Sequence, residues 1–145
     1  MAFQPSAAFA AEIDWIIRAA QNGDADAQFT LGVMYDNGDE VRQSHREAFK
    51  WYLRAAKQGH VKAQYNLAVS YDNGEGTNID HSEANLWYRR AAEQGHVNSM
   101  VNLALSYIKG EGVRRDRLEA VKWLVRAADR GSKKADDLLY ELVDY

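Results

Sequence analysis

The fold of this chain is decided by the stretch Ala19-Ala20-Gln21-Asn22-Gly23, whose pattern Ala-Ala-x-x-Gly returns at Ala55, Ala91 and Ala127. The four copies are spaced by 36 residues. A fixed period of this length is typical of repeat proteins in which each unit is one helical hairpin, stable only when stacked on its neighbours. The pattern therefore predicts a repeat protein that offers a surface to partners.

The period holds over three full units, residues 24–59, 60–95 and 96–131, which align without insertion or deletion. Residues 1–23 fit the second half of an earlier unit, and residues 132–145 fit a first half. We therefore expect a single repeat domain over residues 1–145. Ten columns are identical in all three full units, those of Leu31, Tyr35, Gly38, Glu47, Ala48, Trp51, Arg54, Ala55, Ala56 and Gly59.

The first half of each unit predicts a helix, here named helix A. In the first full unit Ala27, Leu31 and Tyr35 are four residues apart, which places them on one side of a helix from about Asp24 to Asn37. Gly38 then ends this helix, because glycine enters the left-handed conformation of a C-cap without steric cost. Copies of the same residues predict helix A in the other units.

The second half of each unit predicts a second helix, named helix B. Its start is indicated by Ser44-x-x-Glu47, Asp80-x-x-Glu83 and Asp116-x-x-Glu119, in which the cap residue and the glutamate bond each other's backbone amides. Its end is the glycine of the recurring Ala-Ala-x-x-Gly pattern. The chain is thus expected to be all-α, with antiparallel hairpins and about eight helices.

One stripe of helix B carries large and small apolar residues side by side. Ala48, Trp51 and Ala55 form this stripe in the first full unit, and we interpret it as core. Glu47 and Arg54 share another face of the same helix, which predicts an ion pair or a cap to a neighbouring loop.

Charge is distributed unevenly, although the net charge is only −3. Residues 1–41 carry one basic and seven acidic side chains, whereas residues 109–134 carry nine basic and four acidic ones. The basic segment would suit an acidic partner, but a solvated helix face is the simpler interpretation. The acidic balance of the whole chain argues against nucleic acid as a partner.

The composition gives little information on the compartment. The chain has no cysteine, so neither a disulfide framework nor a thiol metal site is expected. Residues 1–11 lack the basic start of a signal peptide, and no apolar run approaches membrane-spanning length, so membrane insertion is not expected. We expect a cytoplasmic protein, or a periplasmic or secreted one if a leader has been removed.

The repeated columns resemble a known family, the Sel-one-like repeat, a relative of the tetratricopeptide repeat with a longer loop inside the hairpin. The first unit departs from its two copies at Glu40, where they have Gly76 and Gly112. In the first full unit the residues that carry the resemblance are Ala27, Leu31, Gly32, Tyr35, Gly38, Ala48, Trp51, Ala55, Ala56 and Gly59.

The resemblance implies a right-handed α–α superhelix, a solenoid of hairpins in which A helices line a concave groove and B helices form the outer wall. It also implies a bacterial protein that serves as an adaptor in signalling, envelope or host-contact complexes. The partner would be a protein or an extended peptide, held in the groove. No cofactor is implied.

The related tetratricopeptide pattern implies which side chains face that groove, and these fall in the variable columns. Phe29 and Tyr65 are the most suggestive, because aromatic side chains are enriched where partners bind, although packing between adjacent A helices explains them equally well. The full set is Asp26, Phe29, Val33, Asn37, Lys62, Tyr65, Asn66, Val69, Asn73, Asn98, Val101, Asn102, Leu105 and Lys109.

Asn66 and Asn102 share one column of that set. A carboxamide there can hold the backbone of an extended peptide with its paired donor and acceptor. Hydrogen bonding between helices is an equal alternative. A similar column in some tetratricopeptide domains helps to clamp a terminal carboxylate, but here only Lys62 offers a nearby cation, so that activity is not expected.

Other motifs are interpreted as structural. His60 and His96 occupy one column, and successive copies would lie about 10 Å apart, too far to share a metal ion, so a turn or cap is the better interpretation. Gly74-Glu75-Gly76 follows no strand and carries an acidic residue, so it is a turn rather than a phosphate loop. The sequence predicts neither a metal site nor a catalytic group.

Three functions are weighed. The leading one is a non-catalytic scaffold or adaptor that binds a protein or peptide in its groove, or inhibits or regulates that partner. A hydrolase of the β-lactam-binding type is suggested only by cysteine-rich relatives of the family. A self-assembling structural protein is suggested by Leu138, Leu139, Leu142 and Val143 on the last helix, through which copies would associate.

Overall fold

The computed structural model describes residues 6–143, with the Phe9 side chain excepted. Over that range the structure contains helices and turns but no strand, which confirms the predicted all-α class. The eight helices are α1 (Ala7–Gln21), α2 (Ala25–Asn37), α3 (His45–Lys57), α4 (Val61–Asn73), α5 (His81–Glu93), α6 (Val97–Lys109), α7 (Arg117–Asp129) and α8 (Lys133–Val143).

The chain divides into two compact units, Met1–Ile79 and Asp80–Tyr145. The first contains α1 to α4 and the second α5 to α8. The boundary falls inside the predicted repeat 60–95, between its A and B helices. The single domain expected from the sequence stays a prediction, and each unit is described below by itself.

The ends of the A helices follow the sequence prediction. Helix α2 begins after Asp24, whose carboxylate accepts a hydrogen bond from the Ala27 amide at 2.8 Å. It ends at Gly38, which has a φ of 71°, and Gly74 and Gly110 end α4 and α6 in the same left-handed conformation.

The starts of the B helices confirm only half of the predicted reciprocal cap. The side chain of Ser44 accepts a hydrogen bond from the Glu47 amide at 3.2 Å, and Asp116 does the same for Glu119. The amide of Ser44, however, donates to the Tyr35 carbonyl at 2.9 Å rather than to the glutamate. The backbone of helix A thus ties down the start of helix B, and the Glu47 carboxylate bonds Lys50 instead.

Paired alanines let helices approach closely in each unit. Ala20, Ala55 and Ala56 are buried in the first unit, as are Ala91, Ala92 and Ala127 in the second. The short side chain lets a buried Gln28 amide donate to the Ala20 carbonyl at 3.0 Å, and Gln64 donates likewise to Ala56. These bonds satisfy carbonyls at the end of one helix from the start of the next.

The tryptophan column is core in the full repeats and exposed in the partial one. Trp87 and Trp123 are 6% and 5% exposed, and Trp51 is half-buried against the cluster of Ala20, Ala27 and Leu31. Trp15, in the same column of α1, is 69% exposed. None of the described residues covers its outer side.

The arginine three residues after each of these core tryptophans lies over the indole ring. The guanidinium carbons of Arg54, Arg90 and Arg126 lie 4.7, 4.5 and 4.7 Å from the ring centroids. The predicted ion pair between Glu47 and Arg54 is therefore wrong: Glu47 pairs with Lys50, three residues away, and the arginine makes a cation–π contact.

The glycine of the long loop is required by a close approach of backbone to backbone. A Cβ atom on Gly112 would lie 2.3 Å from the carbonyl carbon of His81, at the start of α5, and one on Gly76 would lie 2.1 Å from the His45 oxygen. Both glycines also have positive φ. Glu40 occupies the same column in the first repeat and adopts the same left-handed conformation, with a φ of 59°.

Replacing tryptophans of this column by alanine should distinguish its buried positions from its exposed one. Trp87→Ala is expected to lower the free energy of unfolding by about 3 to 5 kcal/mol, because it opens a cavity in the second unit. Trp15→Ala, at the exposed position of the same column, should change it by less than about 0.5 kcal/mol. Urea unfolding followed by circular dichroism measures both, and equal effects would contradict the packing described here.

The loop glycine gives a second comparison. Gly112→Ala should destabilise the protein by at least about 2 kcal/mol more than Gly131→Ala, since both residues have positive φ but only Gly112 meets another backbone. Gly131 has nothing within 4 Å of the added Cβ. Thermal unfolding of the two variants tests this. An equal loss of stability in both would show that the positive φ alone, and not the close approach of another backbone, requires glycine at position 112.

Candidate functional site

The predicted contact residues lie on A helices of both units. In the first unit, those on α2 and α4 range from exposed, as at Asp26 and Lys62, to half-buried, as at Phe29 and Tyr65. In the second unit, Asn98 and Lys109 on α6 are exposed, and Asn102 and Leu105 are half-buried. Val101 differs from the rest of the set: it is 3% exposed and so presents little surface to a partner.

Phe29 is held between two rings of its own unit. Its ring stacks on His60, with centroids 4.7 Å apart and planes at 23°, and lies 6.1 Å from the ring of Tyr52. Helices α2, α3 and the start of α4 therefore meet at this side chain. Phe29 thus packs inside its unit and still keeps an accessible edge, and its contact with a partner stays a prediction.

His60 is fixed by hydrogen bonds at both ring nitrogens. Its Nδ1 accepts from the Ala63 amide at 3.2 Å, which caps α4, so the ring proton is assigned to Nε2. Nε2 lies 3.0 Å from Asp26 Oδ1 and donates to it. The predicted cap role of His60 is confirmed, and His96 caps α6 in the same way through the Ser99 amide.

Tyr52 reaches from α3 to the surface formed by the A helices. Its hydroxyl donates to Asp36 Oδ2 at 2.8 Å, and Asp36 Oδ1 lies 2.9 Å from His45 Nδ1. Burial raises the pKa of Tyr52 well above its ordinary value, and its hydrogen bond to Asp36 raises it further. Tyr52 thus remains a protonated donor and anchors the end of α2 to α3.

A glycine makes room for that tyrosine. A Cβ on Gly32 would lie 2.6 Å from two carbons of the Tyr52 ring. The column holds alanine in the other full repeats, at Ala68 and Ala104. The smallest residue therefore lets Tyr52 pass across α2.

In the first unit the asparagine of the shared column contacts another helix, α3, and its contact with a partner stays a prediction. The Asn66 side chain hydrogen-bonds Tyr52 and lowers its pKa, against the larger effect of burial. The backbone carbonyls of Asn66 and Asn102 also accept hydrogen bonds, from the hydroxyls of Ser70 and Ser106 on the next turn of the same helix. Asn66 is half-buried, so it supports the A-helix surface as well as bordering it.

The second unit has a polar contact at a place where the first has an aromatic one. In the first unit Phe49 packs edge-on against Tyr71, with centroids 5.2 Å apart. In the second unit Asn85 stands in the column of Phe49, and its amide donates to the Glu111 carbonyl at 2.7 Å. Arg89 contacts the hydroxyl and ring of Tyr107, the counterpart of Tyr71.

Two further properties concern the described residues as a set. Residues 6–143 contain no cluster of three histidine or acidic side chains placed to bind a metal ion. In the same range no helix combines the length and the apolar character needed to cross a membrane.

The sequence did not predict the stack of Phe29 on His60. A signal for the cap was present, because Asp24, His60, His96 and Ser132 share one column, and Asp24 is an ordinary cap residue. No comparable signal marked the partner of the imidazole face, since Phe29 and His60 are 31 residues apart and meet only after the hairpins stack.

Comparison with known proteins identifies the repeat. A family model described as Sel1 repeat matches residues 25–60, 61–96 and 97–132, each one residue later than the predicted units. No match to this chain occurs among curated protein sequences. The resemblance stated from the columns is confirmed.

Solved structures of the same fold are similar to the chain. One is the crystal structure of c5321, a protective antigen present in uropathogenic Escherichia coli strains that displays an SLR fold. Its sequence is 38% identical to this chain and its TM-score is 0.85, and the match covers 88% of this chain and 27% of c5321. A Sel1 repeat protein from Oxalobacter formigenes is 38% identical with a TM-score of 0.76, over 79% of this chain and 47% of its own.

A third structure extends the likeness in fold alone. Helicobacter pylori cysteine rich protein B is 19% identical with a TM-score of 0.67, over 87% of this chain and 90% of that one. These neighbours are solenoid folds, and the predicted fold class is confirmed. The chain spans about a quarter and about half of the lengths of the first two proteins.

Removal of the Tyr52 hydroxyl should reveal its anchoring role. Tyr52→Phe is expected to lower the free energy of unfolding near neutral pH by about 1 to 2 kcal/mol, because Asp36 loses a buried donor. The raised pKa of Tyr52 stabilises the folded protein in full below the ordinary tyrosine pKa. This contribution is lost as pH rises from there through the folded-state pKa.

The variant should therefore lose part of the alkaline destabilisation that the raised pKa of Tyr52 predicts for the wild type. Denaturant unfolding from about pH 8 to about pH 11 measures this slope. Tyr140→Phe, at an exposed tyrosine of α8, is the control and should behave as the wild type. An unchanged slope in Tyr52→Phe would show that the hydroxyl does not couple to folding.

Proposed function

The chain belongs to the Sel1 repeat family, and on that premise we propose that it is a non-catalytic scaffold that binds an extended peptide segment of a protein partner on its A helices. Folds of this family are generally protein-interaction scaffolds and typically not enzymes. What we propose beyond the general role of the family is that the partner presents an extended peptide segment.

The observation that carries the proposal is the fixed position of Phe29. Its ring is stacked on His60, and His60 is itself held at both nitrogens by the Ala63 amide and Asp26. A half-buried aromatic side chain that is already immobile loses little conformational entropy when a partner covers its free edge. Such a residue is suited to anchor a partner.

Polar side chains border the same surface and supply hydrogen bonds. Asp26 on α2 has a side chain that is 93% exposed, although it bonds His60 with one oxygen. Lys62 and Asn73 on α4 are exposed as well. Aromatic and carboxamide groups together suit an extended backbone, which presents alternating amides, carbonyls and side chains.

The second unit supports the same kind of contact by itself. Asn98 and Lys109 are exposed near opposite ends of α6, with Asn102 and Leu105 half-buried between them. This unit lacks an aromatic group at the Phe29 column, because Val101 stands there and is buried. We therefore expect the first unit to contribute most of the affinity for the peptide.

A peptide selection tests the proposal. Peptides from a random library displayed on phage are selected on the wild-type protein, and Kd values of enriched peptides are measured by isothermal titration. The double variant Phe29→Ala with Tyr65→Ala should raise Kd about tenfold or more, because two aromatic contacts are lost. Circular dichroism should show that the double variant retains its helical content.

A matched control variant is available on a B helix. Leu86 on α5 is an exposed apolar side chain outside the contact set, and Leu86→Ala should leave Kd unchanged. Equal affinity of the wild type and the double variant would place the peptide elsewhere. Failure to enrich any peptide would count against the proposed class of partner.

A further inference from the structure

We propose that a cleft in the second unit binds a carboxylic acid that has a neutral hydrogen-bond donor beside its carboxylate and an apolar side chain. The cleft, named here the α5 cleft, lies between α5, α6 and the loop after α6 and has a volume of about 300 Å³. A cleft of this size suits a small ligand. None of the residues that line it belongs to the peptide proposal, so a failure of either proposal leaves the other standing.

A buried acceptor of Asn85 is the first observation that points to a ligand. Asn85 lines the α5 cleft and is 3% exposed. Its Nδ2 donates to the Glu111 carbonyl at 2.7 Å, which leaves Oδ1 as an acceptor. Oδ1 is buried and has no hydrogen-bond partner among the described residues. Because an unpaired buried acceptor costs free energy, a ligand that donates to Oδ1 removes that cost.

Arg89 supplies a positive charge to the same cleft. It is half-buried, and its guanidinium contacts the hydroxyl and the ring of Tyr107. No acidic side chain is among the described residues that line the cleft. A guanidinium has five N–H donors, so donors remain for a carboxylate of the ligand.

The spacing of these two groups limits the ligand. Asn85 and Arg89 are four residues apart on α5, which is about 6 Å along the helix axis. Since a hydrogen bond of about 3 Å extends from each side chain, the donor and the carboxylate of the ligand must lie close together. A neutral donor fits better than an ammonium group, because the cleft offers no carboxylate to pair with it. An α-hydroxy acid has this arrangement, and so does the last residue of a peptide.

The remaining walls of the cleft are apolar and held in place. Leu103 on α6 is fully buried, Leu86 on α5 is 53% exposed, and Val113 lies on the loop. The loop is fastened to α5, because the Ser82 hydroxyl donates to the Gly112 carbonyl at 3.3 Å. An apolar side chain of the ligand would therefore lie against walls that are already formed, at a low entropic cost.

The first unit has the same helices and loop but not the same chemistry. Phe49 stands in the column of Asn85, and its ring packs against Tyr71. Leu53 stands in the column of Arg89. The first unit thus offers neither the acceptor nor the cation at this place, and it serves as an internal control.

A titration followed by amide NMR spectra of isotope-labelled protein tests the proposal. The probes are α-hydroxyisocaproate and N-acetylleucine, and we expect saturable shifts on α5 and at Gly112 with a Kd on the order of 1 mM. Amides of residues 46–53 should not shift. Isocaproate lacks the donor and should bind about tenfold more weakly. Tighter binding of the hydroxy acid identifies a small molecule as the source of the ligand, and tighter binding of N-acetylleucine identifies the end of a peptide.

Two variants take their residues from the first repeat. Arg89→Leu removes the cation and Asn85→Phe replaces the acceptor by a ring, so each should raise the Kd about tenfold or more. Arg46→Leu makes the same change of charge at an exposed arginine of the first unit and should bind as the wild type. If Asn85→Phe does not fold, Asn85→Val carries the residue that the third repeat has at Val121 and gives the same test.

Three outcomes would overturn the proposal. One is the absence of saturable shifts with either probe up to about 50 mM. The others are an unchanged Kd in a folded Arg89→Leu variant and equal affinity for isocaproate and α-hydroxyisocaproate. The amide spectrum of each variant verifies that it is folded.

Discussion

The close approach of helices at the paired alanines is the constraint on which the rest of the structure depends. Ala20, Ala55 and Ala56 in the first unit are fully or almost fully buried, because any larger side chain would separate the helices that meet there. The short distance brings the carbonyls of Ala20 and Ala56 within reach of buried glutamines on the next helix. Tryptophan then fills the wider gap beside the alanines, and an arginine covers its outer face.

The same packing prepares the proposed contact surface. His60 follows directly after the turn that ends α3, so its cap on α4 and its stack on Phe29 depend on the angle at which the helices meet. The Tyr52 side chain crosses α2 at Gly32 and hydrogen-bonds Asp36, one turn later and close to the C-terminal end of the same helix. A scaffold whose variable side chains are already held in place can bind a partner at low entropic cost.

Much of the fold could be predicted because it depends on residues close together in sequence. The caps at Asp24 and Ser44 and the left-handed turn at Gly38 each involve neighbours within a few residues, and the structure has all three. A prediction that concerned side chains two turns apart on one helix was less successful. The ion pair of Glu47 with Arg54 was wrong because both side chains have nearer partners, Lys50 and Trp51, three residues away on the same helix.

The sequence by itself determined the repeat, its period, the helix ends and the buried alanine columns, because each is a local preference reinforced in every copy. Only the tertiary structure decided what a column becomes in a given repeat. Trp15 is exposed and Trp87 buried although both stand in one column, and Phe29 packs on a histidine 31 residues away. The physical reason is that burial and ring stacking depend on which neighbouring helix is present, which a residue's own column does not encode.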